Sequence, residues 1–324
     1  MPIVYLHGVA IRDDDEALAR AGKWFREVPW PTIEDHLREH VAPVLSDDSA
    51  QVPVTRIYWG DLGARFAWGG RSLVSHPIPD EPAVIPQPRG KARTRAARAL
   101  REQSRRTIRE TVTALRRPVE DFLPTFIGDV LTYVAGRGTA ADPGPIPRRV
   151  LAGLDDAARV AAARHEPLVV VTHSMGGQIL YDALTHFIPR TPSLRHIRVD
   201  FWCALGSQVG FFEELGLFLE SDPGHGRKTG RLTPCPAAAY LGGWWNVWDH
   251  ADLLSFRAEG IFDGVDDTPF FAAGSLATDH NRYLDHPDVY RTLAEKARAG
   301  LDADPRAPRR RSGGEGRQPP SPQE

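Results

Sequence analysis

Short apolar runs alternate with amphipathic segments along most of this chain. Five runs rich in β-branched and other apolar residues predict strands, over Ile3–Leu6, Val52–Trp59, Leu168–Val171, Ile197–Leu205 and Trp244–Trp248. Helices are predicted between or after these strands, over Asp15–Trp24, Thr32–His40, Pro147–Arg164 and Gln178–Phe187. This alternation is typical of the α/β class, so we expect a doubly wound, mostly parallel sheet.

Two segments depart from the alternation. Residues 60–144 are too many for a plain connection between a strand and the next helix, and they predict an inserted helical cap or lid. Within this insertion, Arg89–Pro118 predicts an arginine-rich helix. Residues 302–324 are rich in Pro, Arg, Gly, Ser and Gln without periodic apolar positions, so we expect a disordered tail after a domain of residues 1–301.

The composition of the chain excludes several classes of protein. Hydrophobic residues make up 41% of the chain, enough for a large core, and the formal net charge of -2 gives no electrostatic reason to bind nucleic acid. Neither Cys203 nor Cys235 has the Cys or His spacing of a zinc site. The first residues lack the pattern of a secretory signal, and no apolar run reaches the roughly 18 to 20 residues that span a bilayer. The cytoplasm is therefore the expected location.

The strongest chemical motif is the run Thr172-His173-Ser174-Met175-Gly176-Gly177, which follows the apolar strand Leu168–Val171. Ser174 falls in a tight turn between this strand and a helix. The motif resembles the nucleophile elbow of the α/β-hydrolase superfamily, in its lipase and esterase branch, and the resemblance covers most of residues 1 to 300. It implies a strained serine whose hydroxyl projects above the sheet. Thr172 departs from the G-x-S-x-G pattern by replacing its first glycine.

The resemblance also implies an oxyanion hole made of two backbone N–H groups. Met175 follows the nucleophile at a helix N-terminus, where its N–H can donate to a developing oxyanion. Leu6-His7-Gly8-Val9-Ala10 ends the first strand, as the superfamily's oxyanion loop does, and the N–H of Val9 would be the second donor. His7, Gly8 and His173 are expected to line the substrate pocket, with packing of His173 under the sheet as an equal alternative.

The superfamily order of Ser, then Asp or Glu, then His places the acid after a strand downstream of the nucleophile. Asp249 and Asp252 both follow the strand at Trp244–Trp248. Asp252 matches the superfamily pattern better, because small apolar residues follow it. Whichever aspartate is not the triad acid is expected to cap the turn through its short carboxylate.

A histidine near the C-terminus is the expected base. His280 lies in Thr278-Asp279-His280-Asn281-Arg282-Tyr283, which resembles the superfamily's histidine loop with its following tyrosine and helix. A histidine suits this role because its ordinary pKa lies near neutrality, and an acid at Nδ1 would fix its tautomer. His250 and His286 are the alternatives, since one neighbours the acid candidates and the other precedes a predicted helix start.

Together these residues predict a serine hydrolase that cleaves small-molecule esters or lipids. His280 would take the proton of Ser174, an acyl group would form on the serine, and water would release it, with no metal or organic cofactor. The same triad would serve a thioesterase, an acyltransferase or a membrane-acting phospholipase, whose arginine-rich helix would make transient contact with an anionic membrane. A non-catalytic binding module of α/β-hydrolase type is the alternative from another class.

Overall fold

The computed structural model describes residues 2–12, 28–46, 48–67, 123–271 and 279–308. The chain divides into two compact units. The first comprises Met1–Gly8, Val28–Trp59 and Gly136–Glu324, and the second comprises Val9–Glu27 and Gly60–Ala135.

The first unit is built on a six-stranded sheet in which every neighbouring pair of strands is parallel. The strands of this unit are β1 (Ile3–Leu6), β2 (Val54–Ile57), β3 (Val169–His173), β4 (Val199–Leu205), β5 (Thr233–Pro234), β6 (Leu241–Trp248), β7 (Phe262–Asp263) and β8 (Asp266–Pro269). The order across the sheet is β2-β1-β3-β4-β6-β8, while β5 and β7 pair with each other. The predicted α/β class, with a mostly parallel sheet, is confirmed.

Helices surround this sheet. They are α1 (Trp30–His36), α2 (Ala42–Leu45), α3 (Pro145–Arg164), α4 (Gly176–Asp182), α5 (Ile188–Arg190), α6 (Val209–Glu214) and α7 (Pro287–Ala303). Two π-helical turns, Leu37–Val41 and Ala183–Phe187, join α1 to α2 and α4 to α5. In the part of the chain that the structure describes, no helix is long and apolar enough to cross a membrane.

The core lies on both faces of the sheet. Successive side chains of a strand point to opposite faces, so Phe201 and Trp202 of β4 pack in different layers. Phe201 belongs to a buried cluster that includes Tyr290 and Leu293 of α7. Trp202 stacks on Trp244 of β6 with ring centroids 4.4 Å apart. Full burial of one such side chain contributes about 1.5–3 kcal/mol, so the two layers fix the strands that carry the site.

Strand β8 is an element that the hydrophobic pattern did not predict. Its sequence is Asp-Asp-Thr-Pro, with no alternation of apolar residues, and it lies at the edge of the sheet next to β6. An edge strand tolerates proline and polar side chains because one of its sides needs no partner strand. Tertiary pairing, not local preference, therefore makes this segment a strand.

The predicted tail begins too early. Helix α7 continues to Ala303, the carboxylate of Asp304 pairs with Arg198, and Ala307 is buried. Residues 302–308 are thus ordered by a helix end and an ion pair that composition does not reveal. The remainder of the predicted tail, 309–324, lies outside the described residues, as do the predicted helices Asp15–Trp24 and Arg89–Pro118.

One buried carboxylate joins three described segments of the second unit. Asp129 lies on a helical stretch and accepts hydrogen bonds from Nη2 of Arg12 at 2.6 Å and from the backbone N–H groups of Ala10 and Ala64 at 2.8 and 2.7 Å. Removing one partner of such a buried pair costs about 3–5 kcal/mol. This unit contains most of the predicted insertion of residues 60–144, but it also takes in Val9–Glu27.

Candidate active site

The carboxyl ends of the parallel strands form the edge of the sheet at which the predicted residues gather. In an open parallel sheet, ligands bind outside these ends, next to the point where the strand order reverses. The chain passes from β1 to β2 on one side, and β3 lies on the other side of β1, so this point falls between β1 and β3. Gly8 follows β1 and Ser174 follows β3.

Ser174 has a backbone conformation that residues with a side chain rarely adopt. Its φ is +52°, in the left-handed region, at the turn between β3 and α4. Such a conformation costs on the order of 1–3 kcal/mol and persists only where its surroundings enforce it. The N–H of Ser174 donates to the carbonyl of Leu205 at 2.9 Å, and its carbonyl accepts the N–H of Gly177 at 3.1 Å. The predicted turn is therefore present and strained.

Two glycines allow the close packing around this serine. A Cβ atom on Gly8 would lie 2.5 Å from the Cβ atom of Ser174 and 3.1 Å from its Oγ atom. A Cβ atom on Gly176 would lie 2.4 Å from the carbonyl oxygen of Leu6. Atoms at such distances overlap, so both positions exclude larger residues as long as β1, β3 and α4 keep this arrangement.

Thr172, which replaces the first glycine of the elbow pattern, is fully buried. Its Oγ1 atom accepts the indole N–H of Trp202 at 2.9 Å. The neighbouring strand thus supplies a partner for the threonine hydroxyl, which would otherwise carry a desolvation cost of about 1–3 kcal/mol. The departure from the pattern has a structural explanation within the sheet.

Asp252 and His280 form a buried pair. Nδ1 of His280 lies 2.8 Å from Oδ2 of Asp252, and the phenol of Tyr283 donates to the same Oδ2 atom at 3.1 Å. The backbone N–H of Leu254 donates to Oδ1 at 2.9 Å. Because a carboxylate only accepts hydrogen bonds, Nδ1 of His280 carries the proton, and Nε2 holds the lone pair that a general base needs.

The charge of Asp252 is stabilised where it lies. Burial by itself would raise the pKa of this carboxyl, but the attraction of His280 and the hydrogen bonds from His280 and Leu254 outweigh burial and hold the pKa below its usual value. Asp252 is therefore an anion at neutral pH. A buried anion at Nδ1 favours the imidazolium that forms when the ring accepts a proton.

Asp249 occupies the other position that the sequence left open. Its Oδ1 atom accepts the backbone N–H of Ala251 at 2.8 Å, and its own backbone N–H donates to Oγ of Ser255 at 3.0 Å. This is the turn-capping role expected of the aspartate that does not contact the base. The geometry favours Asp252 as the partner of His280.

His173 lies directly before Ser174 and contacts His280. Its Nε2–H donates to the carbonyl oxygen of His280 at 2.7 Å, and the two rings are 4.8 Å apart. Burial, with repulsion from His280 as a smaller cause, lowers the pKa of His173 to about 3, so this ring is neutral near pH 7. His173 thereby ties the backbone of the candidate base to the strand of the candidate nucleophile.

The end of β4 lies next to both groups. Gly206 has a φ of +55°, and a Cβ atom there would lie 3.4 Å from Oδ2 of Asp252 and 3.4 Å from Cε1 of His280. The preceding residue, Leu205, accepts the N–H of Ser174. The structure thus brings the predicted serine, acid and histidine to one place at the end of neighbouring strands β3 and β4.

The other predicted site residues are placed as follows. His7 is buried and stacked on Trp59 at 5.1 Å, with Nε2 accepting the Trp59 N–H at 2.9 Å and Nδ1 donating to the Gly8 carbonyl at 2.7 Å. These bonds give His7 a structural role beside the strand end. Met175 is fully buried at the start of α4. Val9 begins the second unit, and its role as an oxyanion donor remains a prediction.

The alternative bases have other contacts in the structure. His250 contacts Trp248 with ring centroids 4.6 Å apart. His286 packs its ring edge-on against Phe270 at 5.3 Å and lies 3.9 Å from Asp288. Neither arrangement involves Asp252.

Sequence reasoning missed two buried amides at this site. Nε2 of Gln208 lies 3.4 Å from Oγ of Ser174, and Oε1 of Gln208 accepts the amide N–H of Gln178 at 2.6 Å. Gln208 follows the carboxyl end of β4, so its position after an apolar strand was the signal that could have identified it.

No protein-family model matches the chain, and no curated protein matches it either.

Proposed function

We propose that this protein is a serine hydrolase of α/β-hydrolase type that cleaves carboxylic esters through an acyl group on Ser174. The observation that carries the proposal is the strained Ser174, with a φ of +52°, beside the hydrogen-bonded pair of Asp252 and His280. A strained serine at a strand-to-helix turn, a histidine whose Nδ1 faces an acid and a buried carboxylate would supply the three roles of a catalytic triad.

In the proposed mechanism, His280 accepts the hydroxyl proton of Ser174 as the serine oxygen attacks the carbonyl carbon of an ester. The C–O bond to the alcohol then breaks, and His280 returns the proton to the leaving alcohol. Water, deprotonated by His280, then attacks the acyl-enzyme. The acyl C–O bond to Ser174 breaks, and His280 returns the proton to the serine oxygen as the acid is released. The N–H of Met175, with that of Val9 as the second proposed donor, would stabilise the oxyanion, and one such donor is worth about 2.7–4 kcal/mol.

The proposed substrate is a small-molecule ester or lipid, and the cap or lid expected from residues 60–144 remains a prediction. Membrane contact through Arg89–Pro118 remains a prediction, because that helix lies outside the described residues. Thioester hydrolysis or acyl transfer would use the same three side chains, so the chemistry of the leaving group and the acceptor distinguishes these activities.

The experiment that tests the proposal is labelling of the purified protein with a fluorophosphonate probe, beside the Ser174→Ala variant. We expect labelling of the parent protein that is lost in the variant, and hydrolysis of p-nitrophenyl esters whose rate against chain length defines the acyl preference. A folded parent protein that neither labels nor hydrolyses any ester, in solution or with anionic vesicles, would favour the non-catalytic binding module.

A further inference from the structure

A buried glutamine, Gln208, contacts both the candidate nucleophile and the loop that carries the candidate acid. Gln208 lies just before α6 and is 3% exposed. Its side-chain amide contacts Gly206 in its own loop, and also Leu254 and Ser174. Nε2 donates to the carbonyl oxygen of Gly206 at 2.9 Å and to the carbonyl oxygen of Leu254. Since carbonyl oxygens only accept, these two bonds settle which amide atom is nitrogen.

The Leu254 contact leads directly to the acid. The carbonyl of Leu254 accepts from Gln208, while the N–H of the same residue donates to Oδ1 of Asp252 at 2.9 Å. Asp252 in turn accepts the Nδ1–H of His280 at 2.8 Å. A displacement of Leu254 would therefore move the carboxylate that orients the base.

The same amide group also faces the nucleophile. Nε2 lies 3.4 Å from Oγ of Ser174, and Oε1 is held by Nε2 of Gln178, which lies one helical turn after the serine on α4. Gln178 is fully buried. A buried amide with all of these bonds cannot rotate without leaving polar groups unpaired, at about 1–3 kcal/mol each. The side chain is therefore rigid where it meets the serine oxygen.

We propose that Gln208 is a positioning residue that fixes the distance between Ser174 and the loop carrying Asp252. The inference rests on the proposed function, because the proposed function assigns Ser174 and Asp252 their roles. Through Leu254 the glutamine holds the acid, through Gln178 it is tied to the helix behind the nucleophile, and its amide nitrogen lies 3.4 Å from the serine oxygen.

The test uses Gln208→Leu and Gln208→Glu in the full chain, with Asn246→Leu as a matched control. Asn246 is also a buried amide, 1% exposed, whose nitrogen donates to the carbonyl of Phe256 at 3.1 Å and to Asp267 at 2.6 Å. Three quantities are measured for each variant: the melting temperature, the rate constant of fluorophosphonate labelling, and the hydrogen exchange of the Leu254 N–H by NMR.

We expect both Gln208 variants to label at least about tenfold more slowly, because misplacement of a catalytic group by about 1 Å can cost 100-fold. Their KM for an ester should change less than kcat, and the Leu254 N–H should exchange faster. Asn246→Leu should lower the melting temperature without either effect. The second variant keeps the test informative if the first does not fold, since glutamate retains the shape of glutamine.

Two results would overturn the inference. One is parental labelling and parental Leu254 exchange in a folded Gln208 variant, and the other is equal slowing of labelling in Asn246→Leu, which would trace the effect to lost stability. If the parent protein itself does not label, the proposed function fails instead, and Leu254 exchange alone decides whether Gln208 holds the acid loop.

Discussion

Oδ2 of Asp252 lies 2.8 Å from Nδ1 of His280, and both side chains are buried. The same Oδ2 atom accepts the phenol of Tyr283 at 3.1 Å, and Oδ1 accepts the N–H of Leu254 at 2.9 Å. The carboxylate is therefore fixed by three donors from two segments of the chain. This arrangement makes specific and separable predictions for the residues around it.

Asparagine at positions 252 and 249 should have different effects. Asp252→Asn removes the anion that holds the tautomer of His280, so we expect kcat for ester hydrolysis to fall by about 10³–10⁴-fold. Asp249→Asn keeps a side-chain oxygen that can accept the Ala251 N–H, so kcat should stay within about tenfold of the parent value. Steady-state kinetics on one p-nitrophenyl ester compares the two variants. The reverse order of effects would assign the acid to Asp249.

Tyr283→Phe should weaken the site without breaking it. The phenol contributes one hydrogen bond to the carboxylate, so its loss should lower kcat/KM by roughly 3- to 10-fold, the equivalent of about 0.5–1.5 kcal/mol. Tyr290→Phe is the matched control, because it also removes one buried phenol hydrogen bond, to the carbonyl of Leu284 at 2.7 Å. Equal losses of kcat/KM in both variants would show that Tyr283 acts only through stability.

Gly8→Ala should strongly slow labelling of the serine. The new Cβ atom would lie 2.5 Å from the Cβ atom of Ser174, and it can be accommodated only by moving β1 or the turn. We expect at least about a 100-fold slower labelling rate and a loss of stability of about 1–3 kcal/mol. Gly136→Ala is the control, because its added Cβ atom would point into open space. Labelling of Gly8→Ala at the parental rate would contradict the close approach.

The stability of the protein should fall in mild acid because of His173. Burial lowers the pKa of this ring from about 6.5 to about 3, so between these values the unfolded chain binds a proton that the folded chain does not. The free energy of unfolding should then drop as pH falls from 6.5 toward 3, by up to about 1.4 kcal/mol per pH unit from this group.

His173→Gln isolates that contribution. Its amide can still donate to the carbonyl of His280, but it has no proton to gain in this range. Urea unfolding at several pH values between 4 and 7 should give a shallower dependence on pH for the variant than for the parent. Identical slopes for the two proteins would mean that His173 is not held neutral by burial.

The local pattern of apolar residues was sufficient to predict most strands of the sheet. The run Ile3–Leu6 was predicted as a strand and forms β1, and the runs at Val52–Trp59 and Ile197–Leu205 contain β2 and β4. These segments are apolar because they are buried on one or both faces, so their apolar residues allow the strands to be recognised in the sequence. Strand β8 escaped prediction because its position at the edge allows polar residues.

The sequence by itself determined the α/β class and the turn at Ser174, because hydrophobic period and a strand-to-helix boundary are local properties that neighbouring residues encode. Only the tertiary structure decided which aspartate meets His280, since Asp252 and the histidine are 28 residues apart and Asp249 has the same local chemistry. The same holds for Gln208, which meets Ser174 from 34 residues away. Hydrogen bonds between distant segments depend on how strands pair and where loops turn back, and periodicity carries no information about those distances.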